Sequence, residues 1–543
     1  MVSKALTATS EGYKKLRPKP AAEYRVFGPP GTGKTTWVIR QLKNALRSHS
    51  PNEIYVCSFT RTAAVEIVNR VAAEMDHLPG EAIPAANIGT IHALCYRLLG
   101  KPSITEAHYS RDWNERYGKY WPVGATAKNS IDEPYLDDMG GSTAIQLYNR
   151  ERAMQTGRKV QEQFAKYWEE FKAETGSMDF TDLLLNAPAS LPDCKVLFVD
   201  EAQDLTPLQW EIVRMWGSTA ETFVVCGDDD QLLFEFTGAK VENFLSPIPE
   251  DCIKTLSKSY RLPAAIHACA EKFIHRLGTR RQEKQYSPRG EGGIVERKPF
   301  MFADPAPLVR DLLSRDESVM ILASCAYMLK PIITQLRLNG IPFHNPYRKN
   351  RGDWNPLAKG SPKLSAFIQL SAAFASGDEK TITSAPLWVA LGSVLKADGV
   401  FHRGAKARLA AHETEYLSLA DASAMFIDSS PMHAIASRDL EWLQAHVTGS
   451  TRSALEYPLK VLENGGDLGA VPRIVVGTIH SVKGGEADAV YLSPDLSIAA
   501  YRELVTTGVS ARDATIRMFY VGMTRARERL VLCDPSSRYS VEV

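Results

Sequence analysis

Glu23-Tyr24-Arg25-Val26-Phe27-Gly28-Pro29-Pro30-Gly31-Thr32-Gly33-Lys34-Thr35 is the stretch that decides the fold class of this chain. Glu23–Phe27 reads as a short strand, and the residues after Thr35 run on helically through Leu42. A glycine-rich turn between strand and helix lets backbone N–H groups curl around phosphate oxygens, and the helix N-terminus adds its partial positive charge. The spacing is that of the GxxxxGK[ST] phosphate loop in the strand–turn–helix setting it needs. Gly28, Pro29, Gly31, Thr32 and Gly33 are therefore expected to form a nucleotide cradle. Lys34 should reach the β- and γ-phosphates, and the Thr35 hydroxyl should ligate Mg²⁺.

Such a loop needs a metal-holding acid on a neighbouring strand. Lys195-Val196-Leu197-Phe198-Val199-Asp200-Glu201 supplies one, an apolar strand ending in two carboxylates. Asp200 suits the Mg²⁺ contact, and Glu201 can accept the proton of an attacking water. Taken alone, Asp-Glu after an apolar strand is also a helix-start signal, with a helix beginning near Pro207. Beside the phosphate loop, the catalytic reading prevails.

The whole chain bounds the function class. It has 543 residues, 44% of them apolar and 23% charged, which suits several folded domains and excludes a disordered or collagen-like chain. No stretch approaches the roughly 18 to 20 uncharged apolar residues of a membrane span. Met1 to Pro20 carries five Lys/Arg and no apolar run, so no secretory signal is visible. Eight cysteines without a CxxC pair point to reduced thiols and a cytoplasmic, nucleoid-associated or host-cytoplasmic location. Net charge is only +1, so charge alone does not announce a nucleic-acid partner.

Further strings narrow the class. Ser58-Phe59-Thr60-Arg61-Thr62-Ala63-Ala64, Gly89-Thr90-Ile91-His92, Asp200-Glu201-Ala202-Gln203-Asp204 and Gly227-Asp228-Asp229-Asp230-Gln231 come first. Ser259-Tyr260-Arg261, Gly477 to Glu486 and Tyr520 to Arg527 follow. In order and spacing they resemble the UvrD/Rep family of superfamily 1 DNA helicases, the branch that moves 3′→5′. The resemblance implies an α/β fold: two RecA-like P-loop motor domains with parallel sheets, ATP between them, each carrying a mainly helical insertion. It implies Gln231 as the group coupling γ-phosphate to DNA, Tyr260 as the aromatic stacked on adenine, and Glu486 as the ribose carboxylate. Arg261 and Arg525 match the two arginines that contact the γ-phosphate, and an arginine finger is worth about 10³ to 10⁵ in rate.

For the DNA track, the resemblance and the chemistry of stacking point to Phe59, Thr60, Thr90, His92, Phe236 and His480. Phe236 stands where the family has a tryptophan, so a weaker grip is expected. Thr36 replaces an arginine flanking adenine, and no glutamine-bearing string precedes the loop, which leaves base choice open between ATP, dATP and GTP. Neutral residues around Thr237 replace a family arginine, and Gly485 replaces a leucine beside Glu486. Basic groups at Arg276, Arg280, Arg281, Lys284 and Arg289 suit either a solvated surface or a DNA contact. The basic run Tyr347-Arg348-Lys349-Asn350-Arg351 is open in the same way.

The expected partition places a first motor domain at 1–91 and 189–255, with a helical insertion at 92–188. A second motor domain falls at 256–346 and 471–543, with a shortened helical insertion at 347–470. The expected activity is ATP-dependent 3′→5′ translocation on single-stranded DNA coupled to duplex unwinding, with ATP and Mg²⁺ as cofactors. Single strands, single-strand/duplex junctions and unidentified replication or repair proteins are the expected partners, and no membrane is. Three alternatives stand beside it: a translocase that displaces proteins without unwinding, a nucleotide-gated DNA-binding module with weak ATPase, and a motor of the opposite, 5′→3′ branch.

Overall fold

Val196-Leu197-Phe198-Val199 shows how the first sheet is built. Val196 and Phe198 enter one hydrophobic core with Val26, Val56 and Val224, while Leu197 and Val199 enter another with Phe27, Cys57 and Val225. Side chains alternate across a strand, so a run apolar at every position needs cover on both faces. Each large apolar side chain so buried contributes about 1.5–3 kcal/mol. The computed structural model describes residues 22–59, 67, 69–70, 83–124, 143–279, 281–347, 362–374, 382–411, 415–448, 452, 456–458, 460–461, 463–466 and 470–543.

Six strands make the first sheet: β1 (Glu23–Phe27), β2 (Ile54–Ser58), β3 (Ile88–Thr90), β4 (Val196–Asp200), β5 (Thr222–Gly227) and β6 (Ile253–Thr255). Their order is β3-β2-β4-β5-β1-β6, and every neighbouring pair is parallel. Because the strands are parallel, their carboxyl ends share one edge, where ligands of open α/β sheets bind. Phe27 is in register with Gly227, and Val199 with Val225, which brings the ends of β1, β5 and β4 side by side.

The chain divides into two compact units, 1–294 with 502–528 and 295–501 with 529–543. Residues 256–294 and the helix Val509–Met523 therefore pack with the first sheet. The same unit holds the 92–188 insertion, which is helical in its described residues and centred on Trp113, Phe164, Trp168 and Phe171.

The second unit is built on β7 (Ile294–Lys298), β8 (Val319–Ala323), β9 (Phe343–His344), β12 (Ile474–Thr478), β13 (Ala487–Leu492) and β14 (Ala526–Cys533), in the order β7-β14-β13-β8-β12-β9. β13, β8, β12 and β9 run parallel to one another. Two parallel-stranded α/β sheets thus match the expected fold class. Within 347–470 the described residues are mainly helical around Trp388, Leu391, Phe401 and Leu443, with one antiparallel pair, β10 (Ile382–Ser384) and β11 (Tyr416–Ser418). None of the eight cysteines, all of them among the described residues, forms a disulfide. Among the described residues no helix is long and apolar enough to cross a membrane.

Candidate nucleotide site

The phosphate loop turns where its sequence says it must. Gly31 and Gly33 take φ of +71° and +77°, a region that residues with a Cβ avoid. A Cβ on Gly31 would also lie 2.4 Å from Arg261 Cβ, and one on Gly28 would lie 1.8 Å from Lys34 Cγ. The lysine therefore folds back over the loop, above a floor that only glycine leaves open. Thr32 Oγ1 donates to the Pro29 carbonyl at 2.8 Å, and Gly28 N donates to the Gly227 carbonyl at 2.9 Å, which fixes the loop to β5. Thr35 lies in the first turn of the helix Lys34–Ala45, and Thr36 beside it is exposed.

The carboxylates stand next to this loop. Asp200 is buried at the end of β4, while Glu201 adopts φ 52°, ψ 38°, a left-handed backbone that costs a non-glycine residue energy. Glu201 Oε1 is 3.6 Å from Lys34 Nζ, and Glu201 Oε2 accepts from Gln203 Nε2 at 2.6 Å. Gln203 Oε1 in turn accepts from Asp228 N at 3.0 Å. Asp228 Oδ2 accepts from Gln231 Nε2 at 2.7 Å, and Gln231 Oε1 accepts from Arg525 Nη2 at 3.1 Å. The polar chain is continuous from the loop lysine to Arg525, which is 2% exposed.

Ser259-Tyr260-Arg261 is stitched to the loop itself. Ser259 Oγ donates to the Pro30 carbonyl at 2.9 Å and Tyr260 N to the Gly31 carbonyl at 2.7 Å. Arg261 Nη1 donates to the Thr524 carbonyl at 3.3 Å, so both arginines meet at one turn. The Tyr260 ring is 70% exposed and passes the loop near Gly33, an open face against which a base can stack. A cradle closed to any Cβ, a lysine within it, a buried carboxylate at a strand end and two arginines form a donor set that fits a magnesium triphosphate.

The other proposed contacts are distributed unevenly. Phe59 packs on Phe234 at 4.8 Å between ring centroids and Phe234 on Phe236 at 5.8 Å, a run of aromatics that ends at the 39%-exposed Phe236. Thr90 and His92 are buried instead. The Thr90 hydroxyl caps the helix Ile91–Leu98 by accepting from Ala93 N, and burial lowers the His92 imidazole to about 4, so it is neutral at ordinary pH. As folded, neither offers a face to a base. Thr60 lies outside the described residues, as do Arg280 and Arg348 to Arg351. His480, half-buried, and Glu486, exposed, belong to the second unit.

Arg281 and Lys284, open between surface and DNA contact in the sequence, do neither. Lys284 is buried and its Nζ lies 2.8, 2.6 and 2.8 Å from carboxylate oxygens of Asp228, Asp229 and Asp230. Arg281 holds Asp230 from the other side through Nε at 3.1 Å and Nη2 at 2.7 Å. Burial pushes Asp230 up, but Lys284 and Arg281 outweigh it and hold it below the ordinary range. For Asp229 burial prevails over Lys284, and the carboxyl rises to about 6.

Two segments of the chain are similar to known protein families. Residues 19–237 match a family model described as an AAA domain, and residues 473–533 match the UvrD-like helicase C-terminal domain. DNA helicase II of Salmonella typhimurium is 25% identical over 319 residues, covering 54% of this chain and 44% of its own length. DNA helicase II of Escherichia coli is 24% identical with the same coverage. The ATP-dependent DNA helicase PcrA of Staphylococcus epidermidis is 23% identical over 306 residues, covering 50% and 40%. The chain is UvrD/PcrA-like. It matches less than half the length of these curated relatives.

Within this UvrD/PcrA-like chain, sequence reasoning assigned no role to Gln203 and Asp228, and it left Arg281 and Lys284 between surface and DNA contact without seeing their pairing with the aspartates. A signal for the last two was present. Three successive aspartates after an apolar strand cannot be buried as charges without cations, and the nearest basic cluster downstream runs from Arg276 to Arg289.

Proposed function

We propose that the protein is an ATP-driven motor that moves 3′→5′ along single-stranded DNA and opens duplex ahead of it. The observation that carries this reading is the unbroken chain Lys34–Glu201–Gln203–Asp228–Gln231–Arg525, because it ties a hydrolytic site to the segment bearing exposed Phe236. Water attacks the γ-phosphate in line. Glu201 orients that water, while Lys34, Arg261 and Arg525 neutralise the charge that spreads over the transferring group. Thr35 and Asp200 would hold Mg²⁺, which supplies charge neutralisation at the phosphate oxygens. Phe59, Phe234 and Phe236 line the proposed DNA track, and movement of Gln231 on phosphate loss shifts the neighbouring Phe234. Glu486 and His480 are proposed as nucleotide and DNA contacts, with motor domains at 1–91 with 189–255 and at 256–346 with 471–543, and helical insertions at 92–188 and 347–470. The proposed substrate places the protein with DNA, in the cytoplasm or nucleoid.

The test is ATP hydrolysis with and without oligo-dT of increasing length, in the presence of Mg²⁺. Stimulation should grow with length and then saturate, and Lys34→Ala or Glu201→Gln should lower turnover by about 10³-fold or more while single-strand binding stays largely intact. Strong DNA binding without stimulation would point to a gated binding module and end the motor reading.

A further inference from the structure

The acidic string at the end of β5 is more than a lead-in to Gln231. In Asp228-Asp229-Asp230 each carboxylate divides its two oxygens differently. Asp230 gives both to Arg281 and shares Oδ2 with Lys284. Asp229 gives Oδ1 to Lys284 and accepts from Gln282 N through Oδ2 at 2.9 Å. Asp228 alone turns one oxygen to Lys284 and the other to the functional chain: Oδ1 lies 2.8 Å from Lys284 Nζ, while Oδ2 accepts from Gln231 Nε2. Its backbone N–H also donates to Gln203, the partner of Glu201.

We propose that Lys284 is a positioning residue for nucleotide turnover, one that never touches nucleotide. Its ammonium gathers three carboxylates, fixes the orientation of Asp228, and through it aligns Gln231 with Arg525 and Gln203 with Glu201. Two physical facts make this lysine suited to the role. A compact point charge with three rotatable donors can meet three carboxylates at a single atom, whereas a planar guanidinium spreads its donors over a rigid fork. A buried charge cluster also has few alternative arrangements, because an unpaired member is strongly penalised, so a shift of Gln231 must be accommodated by the whole cluster or resisted by it. Lys284 and Gln282 follow Ser259-Tyr260-Arg261 in the same packed segment, so that segment reaches the site twice, once at the phosphate loop and once at the acids behind Gln231.

The proposal rests on the hydrolytic reading of the site, and its test separates the two. Two variants of the full chain are compared with wild type: Lys284→Arg, which keeps the charge, and Lys284→Met combined with Asp229→Asn, which removes one charge of each sign. In the charge-balanced variant kcat for ATP should fall about tenfold or more with KM within about threefold, and Lys284→Arg should recover part of the loss. Hydrogen exchange of residues 227–237, with and without a non-hydrolysable ATP analogue and Mg²⁺, is the second readout. The analogue should protect this segment in wild type and fail to do so in the charge-balanced variant. Folded variants with kcat within about twofold of wild type, or equal protection in both proteins, overturn the proposal. Should neither variant fold, Lys284 is structural and the proposal falls. A wild type without turnover defeats only the hydrolytic reading, since the exchange comparison still decides the role of Lys284. No protection in wild type overturns the proposal itself.

Discussion

Two buried ion clusters in the first unit use the same chemistry for different ends. In one, Asp228, Asp229 and Asp230 close around Lys284 and Arg281. In the other, Asp179 and Asp182 close around Arg152 and Lys172, with Trp168 Nε1 donating to Asp179 at 3.0 Å. The second cluster also forms a capping box: Asp179 Oδ1 accepts from Asp182 N, and Asp182 Oδ2 from Asp179 N. It therefore ties the start of the helix Phe180–Leu185 to the helices Ala144–Met154 and Glu162–Thr175. Its charges turn inward upon the insertion. The first cluster instead sends one carboxylate oxygen outward, to Gln231. A buried salt bridge is weak evidence of stability and says nothing of function by itself. What distinguishes the two is where the unshared lone pairs point.

The sharpest way to break this contrast is at the far end of the outward chain. Arg525→Ala should lower single-turnover ATP hydrolysis by about 10³-fold or more, because the arginine that reaches Gln231 is one of the two proposed to neutralise the γ-phosphate. A loss under about tenfold would mean that the chain from Asp228 ends at Gln231 without chemical consequence. Next, Lys172→Met in the inward cluster should cost about 3–5 kcal/mol of unfolding free energy in urea, leaving kcat per folded molecule unchanged. A drop in kcat at preserved stability would erase the distinction between the clusters.

The smallest effect is a difference in pH response. Burial raises Asp229 to about 6, so the folded state binds its proton more tightly than the unfolded chain, and stability rises as pH falls from about 6 toward 3.8. Asp179 has the opposite sign. Burial pushes it up, but Arg152 and Lys172 overcome that and bring it to about 2. Its stabilisation is present above the unfolded value and is lost as pH falls from about 3.8 through 2. Urea titrations of wild type and Asp229→Asn should therefore diverge between pH 7 and 4, wild type gaining about 2 kcal/mol relative to the variant. Parallel pH curves would show that Asp229 stays ionised and that Lys284 holds all three acids alike.

Much of this was legible in the residues. Strands β1, β2, β4 and β5 follow from apolar runs long enough to be covered on two faces, and the loop from Gly28 to Thr35 needs its glycines where φ is positive. Strands β3, β6 and β9 span only two or three residues, and only their neighbours hold them in the sheet. Thr90 and His92 mark the limit of the string reading. Their spacing suits a DNA contact, yet the hydroxyl caps a helix and the imidazole packs edge-on against Phe180 at 6.4 Å. A short polar residue at a strand–helix junction serves as a cap wherever the fold needs one.

By itself the sequence determined the phosphate loop, the paired acids after β4, the α/β class and the order of strings that makes the chain UvrD/PcrA-like. These depend on residues adjacent in the chain, whose geometry is set by local backbone preference and strand period. Only the tertiary structure decided that Lys284 serves Asp229 across 55 positions, or that Arg525 serves Gln231 across 294. Such partners are chosen by which segments pack together. A buried charge takes the counter-charge that packing delivers, and that delivery is a property of the whole fold.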